Sequence, residues 1–151
     1  KQFLQNLHQW LNHDGGMLIG IDLHKSTDTL TAAYNDQKGI TAEFNLNVLR
    51  HINTLTSSNF EIENFSHRAF YNLELQRIEM HLESNIDHIV RLGDSAIAFS
   101  EGETIHTENS YKYTQESFQA LVEDAGFCVR QSWLDDEQLF SVHYLEKATW
   151  P

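Results

Sequence analysis

The rhythm of apolar positions changes several times along this chain, and each change predicts an element. Phe3, Leu4, Leu7 and Leu11 recur at helical spacing with Trp10 beside them, and Asp14-Gly15-Gly16 then turns the chain out of the helix. Met17 to Leu23 is a short apolar run bounded by turn residues, the pattern of a strand buried on both faces in a parallel sheet. Asp22, His24 and Lys25 gather at its carboxyl end, where ligands collect in open α/β sheets. Ser26 to Tyr34 reads as a helix with Ser26 or Thr27 as cap, and Asn35 to Gly39 as a turn. Thr41 is the expected cap of a further helix carrying Phe44, Val48, Leu49, Ile52 and Leu55 on one face. The Asn-rich stretch 56–64 reads as loop.

From Arg77 the period falls to two. Ile78, Met80 and Leu82 alternate with Arg77, Glu79, His81 and Glu83, as in an antiparallel strand with one covered face. Short strands are expected at 88–92 and 96–100, followed by an extended run from Ile105 to Tyr113, so the middle of the chain predicts a small antiparallel sheet. The helical period then returns. Thr114 is placed to cap a helix with Phe118, Leu121, Val122 and Ala125 inward, and Gly126 stands where a helix C-terminal glycine belongs. Phe127, Val129, Gln131 and Trp133 alternate, Asp135 to Glu137 turn, and Phe140, Val142 and Tyr144 alternate back.

Composition narrows the functions. A formal charge of −12 with only ten Lys and Arg argues against nucleic acid as partner. The longest apolar run is too short to span a bilayer. Cys128, the single cysteine, excludes intrachain disulfides and suits a reducing, cytoplasmic setting; it reads as a small buried hydrophobe. The nine histidines are scattered, without H-x-H or H-E-x-x-H spacing, so no metal site is expected. His81 and His88 could face each other across a hairpin. The chain opens on Lys1 in what reads as a mid-domain helix, which suggests a fragment whose upstream part is missing.

The most informative chemistry lies in Ile105-His-Thr-Glu-Asn-Ser-Tyr-Lys-Tyr113. In an extended run Glu108, Ser110 and Lys112 share a face. That row offers a carboxylate that only accepts, a hydroxyl that donates and accepts, and an ammonium, a set suited to a small nitrogen-bearing molecule. A solvated edge strand fits the same spacing, with Lys112 and Tyr111 as surface residues. Asp22 and Lys25 read as a structural pair, Tyr34 to Asp36 as turn and packing residues, and Phe44 and Met80 occupy spacings that core residues also use.

Five segments occur in order: Gly20-Ile-Asp-Leu-His-Lys25, Ala33-Tyr-Asn-Asp36, Gly39-Ile-Thr-Ala-Glu-Phe-Asn-Leu-Asn47, Arg77-Ile-Glu-Met-His-Leu82 and Thr107-Glu-Asn-Ser-Tyr-Lys-Tyr113. Together they resemble the C-terminal half of the histidine-specific methyltransferase family of ergothioneine biosynthesis. The resemblance implies an α/β fold, the C-terminal part of a Rossmann-like class I methyltransferase with an inserted α+β substrate-binding domain containing a small antiparallel sheet. Residues 1–25 and 113–151 would belong to the Rossmann-like domain, whose sheets finish on a helix and a β-hairpin with one antiparallel strand. Residues 26–112 would form the insertion.

By the same resemblance Glu108 and Ser110 recognise the imidazole of a histidine substrate, and Phe44 and Met80 line its pocket. The cofactor is S-adenosylmethionine, but its glycine-rich loop lies upstream, so cofactor-binding residues are unknown here and the fragment alone is expected to be inactive. Methyl transfer to an amine needs orientation rather than a nucleophilic side chain, and no catalytic residue is expected. Two alternatives stay open: a same-fold methyltransferase for another amine, such as an indole amino acid, and a non-enzymatic binding module.

Overall fold

The computed structural model describes residues 1–12 and 14–148. They divide into two compact units, one formed by 1–25 with 111–151 and the other by 26–110.

In the first unit α1 (Gln2–Trp10) precedes β1 (Gly16–Asp22), and α4 (Gln115–Glu123) precedes the hairpin β7 (Phe127–Leu134) and β8 (Phe140–Lys147). The sheet runs β1-β8-β7, with β8 antiparallel to both neighbours, so β1 and β7 run parallel on either side of it. Leu4, Ile21, Leu23, Phe118, Val122, Phe127 and Leu145 form its core. Thr114 and Ser117 close a reciprocal capping box on α4, and Gly126 follows at φ +90, a conformation side chains avoid.

Two expectations are corrected here. β1 is not buried on both faces: Ile21 and Leu23 are buried, but Leu18 is 65% exposed between Gly16 and Gly20. The rings of Tyr144 and Phe140 lie where a side chain at Gly16 or Gly20 would stand, which explains the glycines and the unbroken apolar run. β8 alternates as expected but buries Ser141, His143 and Leu145 rather than Phe140, Val142 and Tyr144. The hydroxyls of Ser132 and Ser141 meet the two ring nitrogens of His143 at 2.8 Å each, so this imidazole enters the core fully bonded. Cys128 is half-buried, its thiol directed at the Glu146 carbonyl.

The second unit contains α2 (Thr27–Tyr34), α3 (Ile40–Thr56), a 3₁₀ turn (Ile62–Asn64) and five strands: β2 (Phe65–Asn72), β3 (Arg77–Ser84), β4 (His88–Leu92), β5 (Ser95–Phe99) and β6 (Thr104–Tyr111). The order β2-β3-β6 makes one sheet, with β2 and β3 antiparallel, and β4-β5 is a separate hairpin. Ser26 caps α2, its hydroxyl accepting from the Thr29 amide. The next helix is capped differently from the expectation. It starts at Ile40 rather than beyond Thr41, and the Asp36 carboxylate accepts the amides of Ile40 and Thr41. Those bonds hold the Asp36 pKa down to about 2.

The buried side of α3 is also rotated from the predicted one. Asn45 and Leu49 point inward, while Phe44 and Leu55 are exposed. Asn45 is accommodated because both amide hydrogens and the oxygen are bonded. Its amide donates to His67 Nδ1 and the His81 carbonyl, both at 3.0 Å, and its oxygen accepts from Thr107 Oγ1 at 2.6 Å. Among the described residues no helix is long and apolar enough to cross a membrane.

Candidate functional site

β6 carries the two polar candidates. Glu108 is half-buried, and its carboxylate makes no hydrogen bond among the described residues. Ser110 is anchored: the Tyr34 hydroxyl donates to its Oγ at 2.7 Å. Tyr34 is itself fixed at the end of α2. Its carbonyl accepts from His67 Nε2 at 2.9 Å, and its ring packs on the cluster of Leu30, Ala69, Ile78 and Met80. Because a carbonyl only accepts, His67 carries its proton on Nε2 and takes the Asn45 amide on Nδ1. Helix α2, strand β2 and strand β6 are thereby tied into one hydrogen-bonded frame.

Met80 lies in the core at 2% exposure, its carbonyl 3.0 Å from Thr107 Oγ1 and sharing with Asn45 Oδ1 the one proton of that hydroxyl. Tyr34 thus links Met80, by packing, to Ser110, by a hydrogen bond. Phe44 stands apart. It is 63% exposed on α3 and lines an open groove with Asn47, Val48, His51 and Ile52, none of them another candidate.

The expected row of Glu108, Ser110 and Lys112 is broken. β6 ends at Tyr111, and Lys112 belongs to the first unit, two residues past the end of the second. Nor is Lys112 a surface residue: it is 2% exposed, with its ammonium 3.0 Å from Asp22 Oδ2. Asp22 Oδ1 holds Lys25, so the anticipated Asp22–Lys25 pair is part of a three-charge set. The apolar stem of a lysine can be buried when its head finds a carboxylate.

On β3 lies a second polar group that the sequence does not reveal. Glu79 is buried although its position in the alternation predicts an outward side chain. The Arg77 guanidinium, with further hydrogen bonds from His81 and Asn72, pulls its carboxyl below the usual carboxylate range, against the opposing effect of burial. His81 stacks between Phe70 and His106 and does not face His88, which stacks instead on Phe99. Tyr34 was equally hidden, since nothing in its sequence neighbours signals a bond 76 residues away.

The first unit is thus an α/β sheet with an antiparallel strand between two parallel ones, and the second presents a half-buried carboxylate and an anchored hydroxyl. Residues 1–147 match the family of SAM-dependent histidine-specific methyltransferases, and the chain belongs to it. It is 37% identical over 136 residues to a histidine N-alpha-methyltransferase of Mycolicibacterium smegmatis, covering 89% of this chain and 42% of that protein. Identity to a histidine N-alpha-methyltransferase of Mycobacterium tuberculosis is 34% over 148 residues, with 97% and 46% covered. An L-tryptophan methyltransferase of Psilocybe serbica is 30% identical over 153 residues, with 99% and 42% covered. The chain therefore spans less than half the length of these relatives.

Proposed function

We propose that the full-length protein methylates the α-amine of histidine, with Glu108 and Ser110 holding the imidazole. The observation that carries this reading is the Glu108 carboxylate, half-buried and without a hydrogen bond among the described residues, two positions from a hydroxyl oriented by Tyr34. Glu108 would accept an imidazole N–H, and Ser110 would donate its own hydroxyl proton to the other ring nitrogen. A charge-assisted bond of this kind contributes about 1.5–3 kcal/mol. Met80 supports the frame from below, and Phe44 is assigned to the apolar wall by the family resemblance.

S-adenosylmethionine, when bound, supplies a methyl carbon activated by the adjacent sulfonium. No residue of this chain is assigned to it, because the glycine-rich turn implied for it lies upstream. What this chain contributes is orientation of the acceptor, placing the carboxylate at the ring so that the distant amine stays unprotonated and able to attack. A cytoplasmic setting accords with the single, unpaired cysteine.

In the full-length protein, Glu108→Ala is expected to raise the KM for histidine at least about tenfold while S-adenosylmethionine affinity stays within twofold. Equal losses for both ligands overturn the assignment. The Psilocybe serbica relative favours an indole amino acid as second reading. Indole has one ring N–H and no acceptor nitrogen, so Ser110→Ala would then leave KM unchanged, whereas for histidine it rises.

A further inference from the structure

On β3, Glu79 and His81 stand two residues apart and share a face, and His106 comes from the neighbouring strand β6. One ligand atom from each lies within 4.8 Å of the others, a trio of metal-ligating side chains that scattered sequence positions conceal.

Their hydrogen bonds orient these atoms. His106 Nε2 lies 3.1 Å from the Glu108 carbonyl oxygen. A carbonyl only accepts, so Nε2 carries the proton and Nδ1 of the neutral ring is a bare lone pair. An imidazole whose far N–H is fixed on a backbone carbonyl is the usual arrangement of a metal-ligating histidine. His81 has Nδ1 at 3.2 Å from Thr104 Oγ1 and Nε2 at 3.2 Å from Glu79 Oε2. Arg77 and Asn72 hold Glu79 Oε1, which leaves Oε2 as the oxygen turned toward the imidazole.

Spacing points the same way. Two ligands of a tetrahedral zinc ion, with bonds of about 2.0–2.1 Å, stand about 3.3 Å apart. Glu79 Oε2 and His81 Nε2 are already at that separation. His106 is stacked on His81 with ring centroids 4.4 Å apart and planes 11° from parallel. Parallel rings do not aim at one point, so this exposed side chain must swing out of the stack to complete the set. Two imidazoles and one carboxylate select a borderline cation such as zinc over magnesium or calcium, which demand oxygen.

We propose that Glu79 Oε2, His81 Nε2 and His106 Nδ1 bind one divalent cation of the zinc class, with water in the remaining coordination. The proton that His81 Nε2 presents to Glu79 moves to Nδ1, which faces Thr104 Oγ1, so the cation meets a neutral imidazole. The site does not rest on the substrate reading, since none of its three ligands is assigned to histidine. It adjoins the Glu108 backbone through the His106 N–H.

Zinc titration of the full-length protein against a chromophoric chelator, followed in parallel by the imidazole resonances of ¹⁵N-histidine-labelled protein, tests this. One equivalent of zinc should move the His81 and His106 signals together, and magnesium should move neither. His106→Ala, at an exposed position, should keep the wild-type melting midpoint yet weaken zinc binding at least about tenfold, since even outer partners of a ligand are worth about 10–100-fold. Glu79→Gln should weaken it likewise. The proposal is overturned if no zinc is taken from the chelator. It is equally overturned if zinc shifts other histidines but not these two, or if His106→Ala binds zinc as tightly as wild type.

Discussion

The two units treat buried polarity in opposite ways. In the first, buried polar side chains find partners in the same unit. Lys112 and Lys25 share Asp22, and His143 has a hydroxyl on each nitrogen. In the second, Asn45, His67 and Thr107 bond one another, but among the described residues His88 Nε2 is buried without a partner, and on the sheet surface the Glu108 carboxylate and His106 Nδ1 make no hydrogen bond. Closed sets of this kind stabilise a fold, and open ones are where ligands bind. Substitutions should therefore separate the units by what they damage.

Asp22→Asn is expected to have the largest effect on stability. It strips the counter-charge from a buried ammonium, a loss of about 3–5 kcal/mol for fully enclosed pairs. With 27% of the Asp22 side chain exposed, the low end of that range applies. Urea midpoints measure it. Lys112→Met sharpens the comparison, because Asp22 keeps Lys25 and methionine fills the vacated volume. It should cost less than half as much, and a reversed order would refute the description of Asp22 as the hub.

Asn45→Leu follows, with about 2 kcal/mol expected from the unmet capacity of His67 Nδ1 and the His81 carbonyl, while the Thr107 hydroxyl keeps the Met80 carbonyl as acceptor. Glu108→Gln is its counterpart on the open surface. Histidine binding should weaken about tenfold or more, while the urea midpoint stays at the wild-type value because no internal hydrogen bond is lost. A destabilised Glu108→Gln would place that carboxylate among the closed sets instead.

Local chemistry made much of the fold legible. Ser26, Thr114 and Gly126 end their helices through bonds or torsions set within a few residues, and the alternation of Ile78, Met80 and Leu82 marks β3 directly. Strand β2 was missed because a polar residue faces inward at His67, and the bonds that make it tolerable arrive from α3 and α2. The same cause misled the reading of β8, where His143 is inside, and of α3, where Asn45 is. Glu108 and Ser110 were singled out by their spacing and the family resemblance. Tyr34, Glu79 and the depth of Lys112 were not, because each depends on a partner distant in sequence.

Tyr34→Phe probes the tie between helix and strand at smaller scale. Removing the hydroxyl takes a 2.7 Å bond from Ser110 and leaves the ring packing intact. About 1 kcal/mol is the usual net worth of such a bond. A change of up to about fivefold in histidine KM with kcat preserved is expected, which steady-state kinetics on the full-length protein would measure. A larger loss of kcat than of affinity would mean that Tyr34 acts on the reacting amine rather than through Ser110.

The smallest expected effect is a pH dependence confined to the first unit. Burial lowers the His143 pKa below its ordinary value of 6.5. The unfolded chain, with its histidine exposed, therefore takes up a proton at a higher pH than the folded protein does. Above the unfolded pKa both states are neutral at this position and the contribution of His143 to stability is complete; as pH falls through 6.5 toward the folded pKa, that contribution is lost. One such group can change stability by at most about 1.4 kcal/mol per pH unit. The informative quantity is the difference between wild type and His143→Gln, whose amide can still meet Ser132 or Ser141 but does not titrate. Urea midpoints at pH 7.5 and 5.5 should fall further for wild type than for the variant. Equal falls would mean that water or a proton reaches this imidazole freely, and the contrast drawn between a closed first unit and an open second one would lose its clearest internal example.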